Sequence, residues 1–312
     1  MKYGEFELID KISSLFSALD SSDDAAFIPS GNGYIVLTCD EMSEDIHYRR
    51  NWLDFIQIGY RAVSAAVSDL AACGASSGAI LTAIAIPDNL EESHILEIYK
   101  GIARFTDEFD IELKGGNIAK STNGIKIVTT AVGYVDYPIK RSQARTDDII
   151  CITGDIGRSG FALNKLLTDD VISSNRILEK FICPKPRLEI AKALSELNIV
   201  HSMADISDGL IADLKHILDA SNKGAIIHLD KINIDKSIKD FYADKKKMHI
   251  DAANSGEEFE LIMTMSEKNL QKAQKAIYGN IWPIGQIIDS GYEVFYKGEM
   301  INNDRFKGFR HF

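Results

Sequence analysis

The stretch Ala204-Asp205-Ile206-Ser207-Asp208-Gly209-Leu210 constrains this chain more than any other. Two carboxylates stand three residues apart, with a hydroxyl between them and a glycine behind. Apolar residues follow at Leu210, Ile211, Leu214, Ile217 and Leu218, which is helical spacing. Ser207 or Asp208 is then a candidate helix cap. A cap accounts for one acid at this point, not for two, because like charges about 4 Å apart cost roughly 4 kcal/mol at an effective dielectric of 20. A divalent cation removes that cost, and hard cations such as Mg²⁺ take carboxylate oxygens. On this stretch alone, a capped helix and a metal site both stand.

The chain has 312 residues, so two domains are expected. A net charge of −11 argues against nonspecific nucleic-acid binding, which needs a basic surface. It leaves phosphate ligands open, since Mg²⁺ bridges acids to phosphates. Cys39, Cys73, Cys151 and Cys183 are widely spaced with no C-x-x-C pair, and read as reduced, mostly buried residues. The first seven residues are too acidic for a signal peptide, and no apolar run approaches the ~18 residues needed to span a membrane. A cytoplasmic location is expected.

Further acids recur in order along the chain. Residues 5–19 predict an amphipathic helix, with Phe6, Ile9, Ile12, Leu15, Phe16 and Leu19 on one side. Ser22-Asp23-Asp24-Ala25-Ala26 is a polar turn or a point of close ligand approach. Tyr34–Cys39 predicts a strand ending on Thr38-Cys39-Asp40, where a carboxylate sits at a sheet edge. The polar loop 41–50 carries His47 close behind it. Phe55–Ala75 predicts a helix ending in Ser68-Asp69-Leu70-Ala71-Ala72-Cys73-Gly74-Ala75, and a carboxylate among alanines is costly unless paired or metal-bound. A strand over Ala79–Ile86 and a helix over Leu90–Phe109 carrying Tyr99 come next. Lys114-Gly115-Gly116-Asn117 predicts a turn whose backbone N–H groups can meet phosphate. The region 136–146 separates an N-terminal domain (1–138) from a C-terminal one (139–312). Gly154, Gly157 and Gly160 only loosely match a dinucleotide-binding loop, and no such fold is inferred. Ser255-Gly256-Glu257-Glu258-Phe259-Glu260 leads into a strand over Leu261–Met265, and the aromatic tail Gly308-Phe309-Arg310-His311-Phe312 is expected to fold back. Clustered carboxylates without a matched Ser-His or Cys-His pair point to metal-assisted phosphate chemistry rather than acyl transfer.

In this order, Gly4-Glu5-Phe6, Ser22–Ala26, Asp40 with His47-Tyr48, Ser68–Ala75, Gly115-Gly116-Asn117, Arg141, Asp205–Leu210, Gly256–Leu261 and Gly308–Phe312 resemble the thiamine-monophosphate kinase family. That family belongs to the aminoimidazole ribonucleotide synthetase-like ATP-binding superfamily. The resemblance spans nearly the whole chain. It implies a two-domain α/β (α+β) fold, with N-terminal strands closing a barrel across a homodimer. It implies direct in-line phosphoryl transfer from ATP to thiamine monophosphate. Asp24, Asp40, Asp69, Asp205 and Asp208 would match Mg²⁺ ligands, with Thr38 and Cys39 beside them. Tyr99, Gly116, Asn117, Arg141 and Ser207 would match ATP contacts, and His47, Glu257 and Phe309 the acceptor pocket. Catalysis would rest on Asp24, Asp69, Asp208 and Arg141, which position and neutralise two anions. A superfamily member with another acceptor, and a catalytically impaired nucleotide-binding relative, are the alternatives.

Four positions depart from the family's pattern: Ser22 for Gly, Cys39 for Thr, Glu258-Phe259 for Asp-Tyr, and Asn117 for the Asp of Gly-Gly-Asp. An amide offers an oxygen but no charge, so Asn117 weakens one metal position. Asn117→Asp is expected to lower the Mg²⁺ concentration that gives half-maximal activity, and an unchanged Mg²⁺ titration would sink that expectation.

Overall fold

The computed structural model describes residues 5–16, 22–170, 174–277, 280–306 and 308–309. The first half runs α1 (Glu5–Ser13), β1 (Ala26–Ser30), β2 (Gly33–Ser43), α2 (Phe55–Ala72), β3 (Ser76–Ile86), α3 (Glu92–Phe109), β4 (Glu112–Lys120) and β5 (Lys126–Val135). The second half runs β6 (Ile149–Thr153), α4 (Arg158–Leu167), α5 (Asn175–Ile182), α6 (Leu188–Glu196), β7 (Ser202–Asp205), α7 (Leu210–Ser221), β8 (Gly224–His228), α8 (Lys236–Lys239), α9 (Lys245–Ala253), β9 (Leu261–Met265), α10 (Glu267–Ala276), β10 (Ile281–Ile288), β11 (Tyr292–Tyr296) and β12 (Glu299–Met300). Helix α1 stops six residues short of the expected end. The Ser14 hydroxyl takes the Lys11 carbonyl at 2.6 Å, a local bond that competes with the helix ladder. Leu19 lies outside the described residues.

The first sheet has the order β1-β2-β5-β3-β4, antiparallel except for the β3–β4 pair. One face alternates inward with Val36, Thr38, Ile127, Thr129, Ala131, Ile80, Thr82 and Ile84, all buried beneath α2 and α3. The other face carries Leu37 paired with Val132, and Cys39 paired through Thr130 with Leu81, and nothing described in the chain covers it. Leu81 is 44% exposed there, and every residue of β4 is exposed.

The segment expected to turn at Lys114–Asn117 runs extended inside β4 instead. Gly116 lies so close to β3 that a Cβ on it would sit 2.0 Å from the Thr82 carbonyl oxygen. Its missing side chain lets two strands approach, which the sequence pattern alone does not distinguish from phosphate binding.

The second sheet has the order β12-β11-β8-β10-β6-β9-β7, antiparallel except for the β8–β11 pair. No described helix is long and apolar enough to cross a membrane.

Helix α2 joins the halves. Asp54 and Gln57 close its first turn reciprocally, each side chain bonding the other's backbone N–H (2.8 and 3.0 Å). Its carbonyls at Ala62 and Ala66 take the Thr129 and Thr38 hydroxyls from the sheet below (2.8 and 2.6 Å). Its opposite side meets β7, α5 and α6. The Ala62, Ala66, Ala71 and Ala72 side chains keep the helix close to both neighbours, as the alanine run implied. Against α3 the approach is tighter still. A Cβ on Gly59 would sit 1.8 Å from the Ile98 carbonyl oxygen, and one on Gly101 1.9 Å from that of Ile56. Gly59→Ala is therefore expected to destabilise the protein by about 1–3 kcal/mol through overpacking. A urea-unfolding midpoint that does not fall would contradict that packing.

Candidate active site

The acids separated in sequence converge where α2 meets both sheets. Asp24 comes from the turn before β1, Asp40 from β2, Asp69 from the last turns of α2, and Asp205 from the end of β7. One carboxylate oxygen from each of Asp24, Asp69 and Asp205 lies within 4.8 Å of the others. The Asp40 and Asp69 carboxyls face each other, and the Asp40 charge raises the cost of ionising Asp69. Ser68, one position before Asp69, donates to Asp205 Oδ2 at 2.6 Å.

Lost hydration pushes Asp24, Asp40 and Asp69 above the usual carboxylate range, with Asp40, Asp205 and Asp24 adding repulsion at Asp69. Asp205 rises to about 7 through burial, with the Asp24 charge next. Arg141 offsets part of this. Its guanidinium forks onto Asp24, with Nε to Oδ2 at 3.1 Å, while its backbone N–H donates to Asp23 Oδ1 at 2.7 Å. Several hard oxygen donors converging at low dielectric, with one arginine among them, fit a divalent cation of the Mg²⁺ type.

The turn between β7 and α7 brings Asp208 in beside a second group. Asp208, Asp213 and His216 can each direct one ligand atom into a common space within 4.8 Å. Gly209 takes φ +128°, a conformation strained for any other residue, which lets the chain swing from strand to helix. A glycine cannot cap that helix with a side chain. Asp213 does so from four residues on, its Oδ2 accepting the N–H groups of Ser207, Asp208 and Gly209 at 3.0, 3.1 and 3.0 Å.

A cavity of about 1120 Å³ opens on these groups, its wall including Asp40, His47, Ser207, Asp208, Glu257 and Phe309. Residues assigned on the sequence to metal and to acceptor thus share one space. His47 Nδ1 accepts the Ser43 N–H at 3.0 Å, which places the proton of the neutral ring on Nε2. Phe309 arrives as the tail folds back: its N–H donates to the Asp208 carbonyl at 3.1 Å and Phe306 is buried. Arg310, His311 and Phe312 lie outside the described residues.

Asp24, Asp69, Asp205 and Arg141 lie behind that wall rather than in it, and Thr38, Cys39, Tyr99, Gly116 and Asn117 are not in it either. The Thr38 hydroxyl is committed to α2, and Cys39 points to the uncovered sheet face, where the Thr130 hydroxyl meets its sulfur at 3.7 Å. Asp40 is in register with Thr129, Thr82 and then Gly116. Three strand spacings separate Asp40 from Gly116, about 14 Å. Tyr99 stands half-buried on α3.

Three groups escaped the sequence reading. Asp213 looked like one polar residue on an amphipathic helix; its signal was a glycine cap followed by an acid in the first turn. Arg61 lines the cavity from inside α2, and a lone cation in an apolar run was its signal. Glu258 and Glu260 looked like surface charge but are fully buried. Burial alone would raise the Glu260 carboxyl, yet Lys180 and Arg187 hold it at about 2, with the Thr153 hydroxyl donating at 2.6 Å.

A carboxyl whose folded pKa is raised binds its proton more tightly when folded, so its stabilising contribution is lost as pH rises through that pKa. For Asp205 the window runs from its usual 3.8 to about 7. Protein held in chelator is therefore expected to lose thermal stability between about pH 4 and pH 7. Added Mg²⁺ is expected to raise Tm more at the higher pH, where the acids are ionised. Equal Mg²⁺ shifts at both pH values would show that the cluster does not take the ion.

The sequence matches the family models described as AIR synthase related protein, N-terminal domain, over residues 22–135, and AIR synthase related protein, C-terminal domain, over residues 145–297. It is 31% identical to the thiamine-monophosphate kinase of Buchnera aphidicola subsp. Acyrthosiphon pisum, with 100% of each chain covered. It is 32% identical to that of Pyrococcus horikoshii, covering 86% of this chain and 84% of the relative. Among solved structures, one described as AaThiL complexed with AMPPCP and TMP superposes with a TM-score of 0.88 at 27% identity, covering 100% of this chain and 99% of that one. The fold is thus the two-domain α/β arrangement of the AIR synthase related proteins, with two mixed sheets. With both family models matched and a relative aligned end to end, the chain belongs to the thiamine-monophosphate kinase family.

Proposed function

We propose that this protein transfers the terminal phosphoryl group of ATP directly to the phosphate of thiamine monophosphate, giving thiamine diphosphate and ADP. The observation that carries this is the shared cavity: Asp40 and Asp208 stand in the same wall as His47, Glu257 and Phe309. Relatives of this length and similarity are thiamine-monophosphate kinases, and one related structure holds AMPPCP and TMP.

The chemistry asks little covalent work of the chain. The acceptor phosphate is already ionised near neutral pH, so no strong general base is needed. The barrier lies in bringing two anions together in line. Asp24, Asp40, Asp69, Asp205 and Asp208 are the residues that would hold Mg²⁺, which when bound supplies neutralisation of that repulsion. Arg141, now forked onto Asp24, supplies a fixed positive charge at the same point. Phe309 presents an aromatic face suited to a cationic heterocycle, and Glu257 a carboxylate of opposite sign to it. Tyr99, Gly116, Asn117, Arg141 and Ser207 are assigned to ATP, and Thr38 and Cys39 to the metal shell, by their match to the family's motif alone.

The enzyme acts as a homodimer in this proposal, closing a barrel over the uncovered face of the first sheet. Leu81 at 44% exposure and the fully exposed edge strand β4 support that. Residues 1–138 then form the ATP, metal and dimer domain, and residues 139–312 its α/β partner, in a cytoplasmic enzyme without nucleic-acid or membrane partners.

The test is to incubate purified protein with ATP, Mg²⁺ and thiamine monophosphate and to resolve the thiamine phosphates by chromatography. Thiamine diphosphate is expected only when all three are present. ATP binding without diphosphate would turn the assignment to a different acceptor or to an impaired relative.

A further inference from the structure

We propose that Arg61 is a positioning residue for the acceptor, acting through Glu257. The proposal rests on the kinase reading above and adds a residue that the sequence pattern did not single out.

Arg61 sits inside α2 between Ile58, Gly59, Tyr60, Ala62 and Val63, all buried, and its own side chain is 2% exposed. A guanidinium stays charged in a protein, so burying one demands partners. One amino group donates to the Phe181 carbonyl, and the guanidinium carbon lies 4.1 Å from the centre of the Phe181 ring. The other amino group is 2.5 Å from Glu257 Oε2. Neither Nε nor Nη2 makes a hydrogen bond among the described residues, so the Glu257 contact is a close ion pair rather than a directed hydrogen bond. Glu257 is the one carboxylate paired with this cation among those residues, so each fixes where the other can be.

The backbone around Glu257 is held by other means. Glu257 and Phe259 adopt φ +52° and +48°, an unusual pair of left-handed residues in one short loop. Glu258 locks that loop from below, accepting the Gly157 and Ser159 N–H groups (2.6 and 3.1 Å) and the Ser255 hydroxyl (2.5 Å). The Glu257 N–H donates to the Ser207 carbonyl at 2.6 Å. None of these contacts sets the direction of the Glu257 carboxylate, which is 30% exposed toward the cavity. Arg61 does. Because Arg61 and Asp69 lie eight residues apart on one rigid helix, the arrangement references the acceptor's carboxylate and a cluster acid to the same element.

The test is steady-state kinetics on Arg61→Met, Arg61→Lys, Glu257→Gln and the Arg61→Met/Glu257→Gln double variant, varying each substrate in turn. Arg61→Met is expected to raise KM for thiamine monophosphate by about tenfold or more while KM for ATP stays within about twofold. Arg61→Lys, which keeps the charge but not the fork, is expected to recover most of that loss. The double variant is expected to be no worse than the more impaired of the two single variants, since both changes remove one coupled interaction. Multiplying effects, or equal rises in KM for both substrates, would overturn the proposal and leave Arg61 as packing between α2 and α5. Should Arg61→Met not fold, Arg61→Gln takes its place, with an acceptor KM raised about tenfold expected and an unchanged acceptor KM overturning the proposal. Wild-type protein that makes no diphosphate would sink the kinase reading separately. Calorimetric binding of thiamine monophosphate would then carry the Arg61 test: wild-type binding weakened about tenfold in Arg61→Met supports it, and equal affinity overturns it.

Discussion

Asp24, Asp40, Asp69 and Asp205 are brought together by three different elements and a turn, and their mutual repulsion is the constraint that the rest of the structure serves. One pair of like charges at about 4 Å costs roughly 4 kcal/mol at an effective dielectric of 20. The chain meets that cost only in part, with the Ser68 hydroxyl on Asp205 and the Arg141 fork on Asp24. Such an arrangement persists only in a frame too stiff to relax it. The frame is α2, pressed onto α3 through Gly59 and Gly101, bonded to the sheet through Thr38 and Thr129, and lined with alanines against both neighbours.

The same chain shows what it does with a buried acid that is purely structural. Glu260 receives Lys180, Arg187 and the Thr153 hydroxyl and is held at about 2. Asp205, equally buried, is left at about 7. Both sit on one ladder, since the Ile206 N–H donates to the Glu260 carbonyl at 2.8 Å. Two carboxylates a few residues from each other across that ladder therefore receive opposite treatment. Glu260 is fully compensated and Asp205 is not, which sets Asp205 apart as a candidate site acid.

Much of this was legible in residues alone, for identifiable reasons. The strands β6 and β9 and the helices α2, α3 and α7 follow from apolar period and length. Asp24 and Asp69 stand out in small-residue runs and Asp205 at a strand end, whereas Asp40, expected to end its strand, lies inside β2, which runs on to Ser43. Gly116 was misjudged because a glycine required by the approach of β3 looks the same in sequence as one required by phosphate. Asp213, Arg61, Glu258 and Glu260 were passed over because their roles depend on partners 4 to 196 residues away, and a charged residue in an amphipathic segment reads as solvated surface until those partners are known.

The turn at 206–209 shows why an acid–hydroxyl–acid–glycine signature carries so much. Its N–H groups at Ser207, Asp208 and Gly209 go to Asp213; its carbonyls at Ser207 and Asp208 take the Glu257 and Phe309 N–H groups. Two of the three residues assigned to the acceptor, Glu257 and Phe309, are thus hydrogen-bonded through backbone to Ser207 and Asp208. No segment of fewer polar groups could tie the tail, the 255–260 loop and β7 to one point. Glycine at 209 is what permits it, since φ +128° frees the three preceding N–H groups to converge on a single carboxylate oxygen. The motif is therefore a junction: moving Asp208 moves Phe309, and moving Ser207 moves the Glu257 backbone, so the positions of these four residues are set together.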